Sequence, residues 1–185
     1  MRALRLIIAL TILASLGGCG GGDDLAGGAD VPEGYALYNG EGVSFAHPAG
    51  FEAETKTNAN GIEEVTLKDP DGGADAAYVH LTIAPERGDD IEPLARSVRV
   101  AAESIFKGEV SDEREVDVEG ATAARRVDIR QPSRDGTEFE RESLLVLAPD
   151  ERFYILSAAA PESDDGAIDR DAVIRSFRLQ GSGGA

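Results

Sequence analysis

One segment with helical periodicity, standing between two sets of short strand-like segments, is the feature that most constrains the fold of this chain. Across residues 90–106, apolar side chains recur at the i, i+3, i+4, i+7 spacing of one buried helix face. Asp89 or Asp90 can cap its start. Pro93 is tolerated in its first turn, and Gly108 can end it. Strands on both sides of one central helix predict an α+β fold built on an antiparallel β-sheet.

The segments before this helix combine short apolar runs with turn residues. The second and third runs are predicted to form a hairpin, because the Asn60-Gly61 step between them favours positive φ. The predicted strands are residues 43–46, 51–57, 62–68 and 76–84.

Residues 76–84 alternate between an apolar and a polar face. Tyr78, His80 and Thr82 lie on the more polar face. Because two titratable rings there could line a groove, these three residues are the candidate binding face. The apolar face consists of Ala77, Val79, Leu81 and Ile83.

The segments after the central helix predict four more strands and a closing helix. Because apolar and polar side chains are mixed along these segments, we expect a sheet with one packed face and one partly open face. The strands are residues 109–118, 121–130, 137–147 and 153–160, and the helix is residues 169–177.

Charges on two of these strands predict how they pair. We expect Arg130 to lie opposite Glu138 and Arg126 opposite Glu142, on a face that is partly solvated. Arg125 has the opposite parity and shares it with apolar residues. We therefore expect Arg125 to lie at a sheet edge.

The first nineteen residues have the pattern of a secretory signal. Arg2 and Arg5 precede residues 6–16, which are apolar apart from two hydroxyl residues. This run is too short for a bilayer span, which needs about 20 apolar residues. The ending Leu16-Gly17-Gly18-Cys19 resembles the bacterial lipobox, which implies cleavage after residue 18 and acylation of Cys19 by diacylglyceryl and palmitate-type chains. We expect a lipoprotein anchored to the cell membrane on its extracytoplasmic side.

The remaining chain divides into a tether, one domain and a tail. Residues 19–34 comprise Cys19 and a flexible glycine-rich tether, which lets the domain stand about 20 Å from the membrane. Residues 35–180 have the length of a single domain. Residues 181–185 are expected to be a disordered tail. Cys19 is the only cysteine, so no disulfide can form inside the domain.

The charge balance limits the partners. The chain has 18 basic and 35 acidic residues and a net charge of −17. Removal of the signal takes away Arg2 and Arg5 and leaves −19. Nucleic acid is excluded as a partner, because binding it requires a basic surface. Contact with lipid headgroups is expected through the anchor alone. Basic proteins, cations and uncharged glycans remain open as partners, and the acidity favours a basic protein.

Residues 42–51 carry a family resemblance. Their sequence, Gly-Val-Ser-Phe-Ala-His-Pro-Ala-Gly-Phe, is similar to the opening of PsbP-like and LpqN-like domains, in which an apolar strand runs into a Pro-x-Gly-aromatic turn. The order of elements and the closing Ile174-Arg175-Ser176-Phe177 also match over most of residues 38–179. The LpqN-like group consists largely of actinobacterial lipoproteins of the cell envelope. The resemblance implies a sheet packed between helices, an α/β/α sandwich, in a binding or accessory protein. It supplies no ligand residues, and Phe51 stands where the family often has tryptophan.

Motifs for catalysis are missing from the sequence. It contains no nucleophile elbow, metalloprotease helix or phosphate-binding glycine loop, so we predict no catalytic residue, no metal and no cofactor. His47 is expected in a surface turn, and His80 in the sheet. Asp69, Asp71 and Asp75 depart from the calcium-loop spacing and are expected to form a polar turn.

Three functions of different classes remain open. The first, which we predict, is a non-catalytic binding or accessory module for an envelope protein complex. The second is a carrier for a lipid or glycolipid that uses a cavity between sheet and helix, although the chain has few of the aromatic residues typical of ligand pockets. The third is a hydrolase that uses His80 with an acidic residue.

Overall fold

The computed structural model describes residues 31–73, 75–85, 88–133, 136–164 and 166–180. The predicted signal peptide, Cys19, most of the tether and the tail at 181–185 lie outside the described residues. Within the described part of the chain, no helix is both long enough and apolar enough to cross a membrane.

Strands dominate the described residues, and two α-helices accompany them. The first part of the domain contains β1 (Tyr35–Gly40), β2 (Val43–Pro48), β3 (Glu52–Thr57), β4 (Glu63–Lys68), β5 (Tyr78–Ala84) and α1 (Glu92–Val100), which continues into a π-helical segment (Ala101–Ile105). The second part contains β6 (Glu109–Glu115), β7 (Ala123–Pro132), β8 (Glu138–Leu147), β9 (Phe153–Pro161), a 3₁₀ turn (Glu162–Asp164), α2 (Arg170–Arg175) and β10 (Arg178–Leu179).

The strands form two antiparallel sheets. The larger sheet has seven strands in the order β3-β4-β5-β9-β8-β7-β6. Its central strand is β9, which pairs with β5 on one side and with β8 on the other. The smaller sheet has three strands in the order β1-β2-β10. The predicted α+β class with an antiparallel sheet is confirmed.

The seven-stranded sheet is packed on both faces. On one face its apolar side chains meet β2 and α2, with Phe45, Val173 and Phe177 at the contact. On the other face Val127 and Leu145 pack against α1. Because α2 and α1 lie on opposite faces, the sheet is flanked by helices as predicted.

The start of α1 follows the prediction, although the α-helix is shorter than the periodicity indicates. The Asp90 carboxylate accepts a hydrogen bond from the backbone N–H of Glu92 at 2.9 Å, and Pro93 lies in the first turn. Ala95 and Ala102 face the sheet and are fully buried. Their small side chains let the helix lie close to the strands.

The end of the helical segment brings the chain close to β7. Lys107 adopts a left-handed conformation with φ 57°, and the Gly108 N–H donates to the carbonyl oxygen of Ala102 at 2.9 Å. The helical segment ends just before Gly108 as predicted, but the left-handed residue that ends it is Lys107 and not the glycine. A Cβ atom on Gly108 would lie 2.3 Å from the carbonyl oxygen of Arg130, so glycine is required here by close approach.

The predicted register between β7 and β8 is wrong by two residues. Arg130 lies opposite Glu140 instead of Glu138, because β7 continues two residues further than predicted, to Pro132, which lies opposite Glu138. Arg126 still reaches Glu142, diagonally rather than directly, with 2.5 Å between its Nη2 and the Glu142 Oε2.

Candidate binding face

The predicted polar face of β5 lies beside α1 on the seven-stranded sheet. Tyr78, His80 and Thr82 are partly exposed and alternate with the buried Val79 and Leu81, which confirms the predicted parity. The residues that pack against α1 come mainly from β7, β8 and β9, so the helix leaves β4 and β5 largely uncovered. We call this surface the open face, and it includes Thr66, Tyr78, His80, Thr82, Ile155 and Arg141, with the exposed Glu64 and Lys68 opposite Thr82 and Tyr78.

His80 lies at the centre of a row of hydroxyl side chains that crosses four strands. Its neighbours opposite are Thr66 on β4 and Ser157 on β9, and Ser157 in turn lies opposite Ser143 on β8. The Nδ1 of His80 is 2.9 Å from the Thr66 hydroxyl oxygen. The hydroxyls of Ser143 and Ser157 are hydrogen-bonded to each other at 2.9 Å. Ser143 and Ser157 are buried, so Thr66 and His80 are the members of this row that can offer hydrogen bonds to a ligand.

The environment of His80 favours its neutral form. Burial lowers the pKa of His80 from its ordinary value, and nearby Arg141 lowers it further, while Glu64 acts in the opposite direction. The described hydrogen-bond partner of the ring is the Thr66 hydroxyl rather than a carboxylate. The pairing of His80 with an acidic residue that a hydrolase would need is therefore not formed among the described residues.

The prediction that His47 lies in a surface turn is wrong. It is 8 % exposed, at the end of β2 and opposite Ala36 of β1. Its Nδ1 is 2.9 Å from the carbonyl oxygen of Pro48. Burial lowers the pKa of His47, and the hydrogen bond to Pro48 only partly offsets this effect. His47 and His80 belong to different sheets, so they do not form one site.

The two histidines predict acid sensitivity. Because the folded-state pKa of each is lowered, the unfolded chain binds more protons below about pH 6.5 and folding stability falls as the pH decreases. Urea unfolding at several pH values should show this decrease, and it should become smaller in His47→Gln and His80→Gln. A pH dependence that is unchanged in both variants would contradict the assignment, and the comparison is made with the parent because the raised pKa of the Glu142 carboxyl acts in the opposite direction.

Arg141 on β8 lies at the border of the open face and contacts no carboxylate among the described residues. Its guanidinium lies over the ring of Phe106, with 5.0 Å between the guanidinium carbon and the ring centroid. Its Nε is buried and has no hydrogen-bond partner among the described residues. Phe106 is 41 % exposed and follows the π-helical segment, where Ile105 is 69 % exposed. No sequence signal distinguished Arg141 from the other arginines.

Arg125 is held by carboxylates from two other elements. Its guanidinium is 2.8 Å from Glu113 of β6 and 3.1 Å from Glu92 of α1. Arg99 of α1 contacts the same Glu113 at 2.7 Å. Burial acts to raise the pKa of Glu113, but hydrogen bonds from the two arginines outweigh it and lower the pKa. β6 is the edge strand of the sheet and Arg125 lies on the neighbouring β7, so the prediction that Arg125 lies at a sheet edge is wrong by one strand. These contacts of Arg125 and Arg99 with the two glutamates tie α1 to the sheet.

The charged residues on the opposite face are less solvated than predicted. Arg126 contacts Glu142 at 2.5 Å and Asp171 of α2 at 2.6 Å. The side chains of Arg126 and Glu142 are only 14 % and 17 % exposed. Burial raises the pKa of Glu142, and the Arg126 charge acts against this rise. We call Arg126, Asp128, Glu142 and Asp171 the α2 ion cluster, and its described pairing indicates a structural role.

The remaining polar features resemble neither a metal site nor a lipid pocket. Asp69 accepts a hydrogen bond from the Asp71 N–H at 2.9 Å, and both lie in the predicted turn before β5. The described residues contain no group of three or more potential metal ligands. A cavity of about 200 Å³ beside β7 and β8 has charged walls that include Asp128, Glu140 and Arg170.

Comparison with known proteins identifies the fold. No protein-family model and no curated protein sequence matches this chain. The solution structure of cyanobacterial PsbP (CyanoP) from Synechocystis is similar, with a TM-score of 0.60 and 16 % identity over 89 % of this chain and 98 % of that chain. The yeast Ran-binding protein Mog1p matches with a TM-score of 0.48 and 13 % identity over 75 % of this chain and 90 % of that chain. LpqN of Mycobacterium tuberculosis, involved in cell envelope biogenesis, matches with a TM-score of 0.40 and 12 % identity over 80 % of this chain and 79 % of that chain.

The likeness to CyanoP extends over most of this chain and nearly all of that chain. At this level of sequence identity it concerns the fold. The chain therefore has the PsbP-like fold.

Proposed function

We propose that this chain is a non-catalytic binding module for an envelope protein, held at the extracytoplasmic side of the membrane by an acylated Cys19. Its partner binds at the open face. The single observation that carries this proposal is the uncovered position of Tyr78, His80 and Thr82 on β5, beside the exposed Ile105 and Phe106.

The open face combines the chemistry of a protein interface. Tyr78 and Phe106 offer aromatic surface, and aromatic residues are enriched in interfaces. Thr66, His80 and Thr82 offer hydrogen bonds without a net charge, because the pKa of His80 is lowered. Polar groups of this kind orient a partner, while the apolar end of the helical segment supplies buried area.

A lipid carrier receives less support from the packing. The contact between α1 and the sheet is filled by the fully buried Ala95, Ala102 and Val127. The contact between α2 and the sheet is filled in the same way by Val173 and Phe177. The cavity described beside β7 and β8 has charged walls, which an acyl chain would not occupy.

Site-specific crosslinking in intact cells tests the proposed surface. The photoreactive residue p-benzoylphenylalanine at position 78 preserves an aromatic side chain and should capture a protein partner. The same residue at the exposed position 119, in the turn between β6 and β7, serves as the matched control and should give little product. Thr82→Arg places a bulky cation on the open face and should weaken capture through position 78 about tenfold. This change corresponds to a loss of about 1.4 kcal/mol in binding free energy. Equal capture from positions 78 and 119 would contradict the proposal.

A separate experiment tests the anchor. Cys19→Ser removes the only thiol and should abolish incorporation of labelled fatty acid, leaving the protein either unprocessed or released from the membrane fraction. Two acyl chains at about 0.8 kcal/mol for each buried methylene account for the stable retention expected of the unaltered protein. Fatty-acid labelling that survives in Cys19→Ser would refute acylation at this residue.

A further inference from the structure

We propose that Arg141 is an anion-binding residue of the open face and that it takes a carboxylate group of the partner protein. This inference rests on the proposed function, because it specifies the chemistry by which the open face recognises that partner. It assigns a binding role to a residue that the sequence pattern alone does not distinguish.

The neighbours of Arg141 within the sheet are uncharged. Ile129 on β7 and Ala159 on β9 lie directly opposite it. The adjacent Glu140 and Glu142 point to the other face of β8, where Arg170 and Arg126 bind them. The guanidinium of Arg141 therefore has no carboxylate partner among the described residues.

This situation is unusual within the described part of the chain, where most arginines contact a carboxylate. The two others without a described carboxylate contact, Arg96 and Arg178, are exposed, whereas Arg141 is partly buried. Water can solvate an exposed guanidinium freely, but a partly buried one loses hydration and gains from an anionic ligand. The arginines that contact a carboxylate are Arg99, Arg114, Arg125, Arg126, Arg130, Arg152, Arg170 and Arg175.

The geometry of Arg141 suits a carboxylate. Phe106 covers one face of the guanidinium at 5.0 Å, which restricts the orientation of its N–H groups. The Nε of Arg141 is buried and out of reach of a partner, so the two terminal nitrogens form the planar fork that binds both oxygens of a carboxylate. The nearby hydroxyls of Ser143 and Ser157 already bond each other and do not compete for the guanidinium.

The surrounding charge selects a singly charged group. Glu64 lies near enough to His80 to affect its pKa, and the chain as a whole has a net charge of −17. The Glu64 carboxylate and the net negative charge of the chain each repel a doubly charged phosphate more strongly than a singly charged carboxylate. The exposed Ile105 and Phe106 fit the apolar part of a polypeptide beside its acidic side chain. Although the total charge favours a basic partner, the local contact at Arg141 requires an acidic residue.

The test uses the mature full-length chain carrying Cys19→Ser and two matched variants. Arg141→Gln and Arg96→Gln each remove one positive charge, and Arg96 is an exposed arginine of α1 without a described carboxylate contact. Acetate is titrated at constant ionic strength while the arginine Nε–H signals are followed by NMR. We expect a saturable shift of the Arg141 signal in the parent chain and in Arg96→Gln. Shifts of open-face amides should be lost in Arg141→Gln.

Two results of the titration would overturn the proposal. One is an NMR shift that does not saturate with acetate, or that Arg141→Gln and Arg96→Gln change to the same extent. Either result would mean that acetate only screens the protein charge and does not bind at Arg141. The other is tighter binding of inorganic phosphate than of acetate at neutral pH, which would reject the carboxylate.

Crosslinking separates this inference from the proposed function. In the full-length acylated chain, Arg141→Gln should lower partner capture through position 78 at least about fivefold, while Arg96→Gln should not change it. Unchanged capture in Arg141→Gln would overturn the role of Arg141 and leave the open face in place. Failure of position 78 to capture any partner would contradict the proposed function itself.

Discussion

Arg126→Met is expected to lower the free energy of unfolding by about 2–4 kcal/mol, because it removes the cation at the centre of the α2 ion cluster. Glu142 would keep only a longer contact to Arg170, at 3.8 Å. Its carboxylate is 17 % exposed, so water cannot fully replace the lost partner. Urea denaturation of the parent and the variant measures the change directly.

A charge-neutral partner variant provides the control. The double variant Arg126→Met/Glu142→Gln has no uncompensated carboxylate at position 142. It should therefore regain at least half of the unfolding free energy that Arg126→Met loses. The pKa of Glu142 is already raised by burial and should rise further without Arg126, so the single variant should lose less stability at about pH 5 than at about pH 7.5. A loss below about 0.5 kcal/mol would show that the cluster contributes no more than ordinary surface pairs.

Gly108→Ala is expected to destabilise the fold by about 1–3 kcal/mol, since the added Cβ must displace backbone. This atom would lie 2.3 Å from the Arg130 carbonyl oxygen and 2.8 Å from the Gln131 Cβ. Neither atom is at the end of a flexible side chain, so the π-helical segment and β7 would have to separate. Thermal and urea unfolding should both detect the loss.

Gly50→Ala is the matched control for this substitution. A Cβ at position 50 has no atom within 4 Å, so the same change should alter stability by no more than about 0.5–1 kcal/mol and can increase it. If both alanine variants lose stability equally, the effect comes from the backbone freedom of glycine and not from the close approach of residue 108 to β7.

Helices and strands could be predicted from the sequence where one face of the element is continuously buried. The alternation around His80 and the apolar spacing before Gly108 each reflect contact with a core, and both elements were found. β1 was not predicted, because Tyr35–Gly40 is flanked by turn residues and is only partly buried. β10 has two residues, too few for any periodicity.

Features that depend on distant contacts could not be predicted. The partners of Arg125 come from β6 and from the first turn of α1, which local parity does not indicate. The β7–β8 register depends on how far each strand continues into its hairpin, and opposite charges fit a shift of two residues equally well. The polar parity of Tyr78, His80 and Thr82 was apparent, whereas the isolation of Arg141 follows only from which residues lie opposite it.

The central position of β9 makes assembly of the sheet an all-or-none event. Strands β3–β5 and strands β6–β8 form two separate groups until β9 pairs with both β5 and β8. A chain that ends before Phe153 therefore has two half-sheets, each with an unpaired inner edge. Such a fragment is prone to aggregate rather than to fold in part.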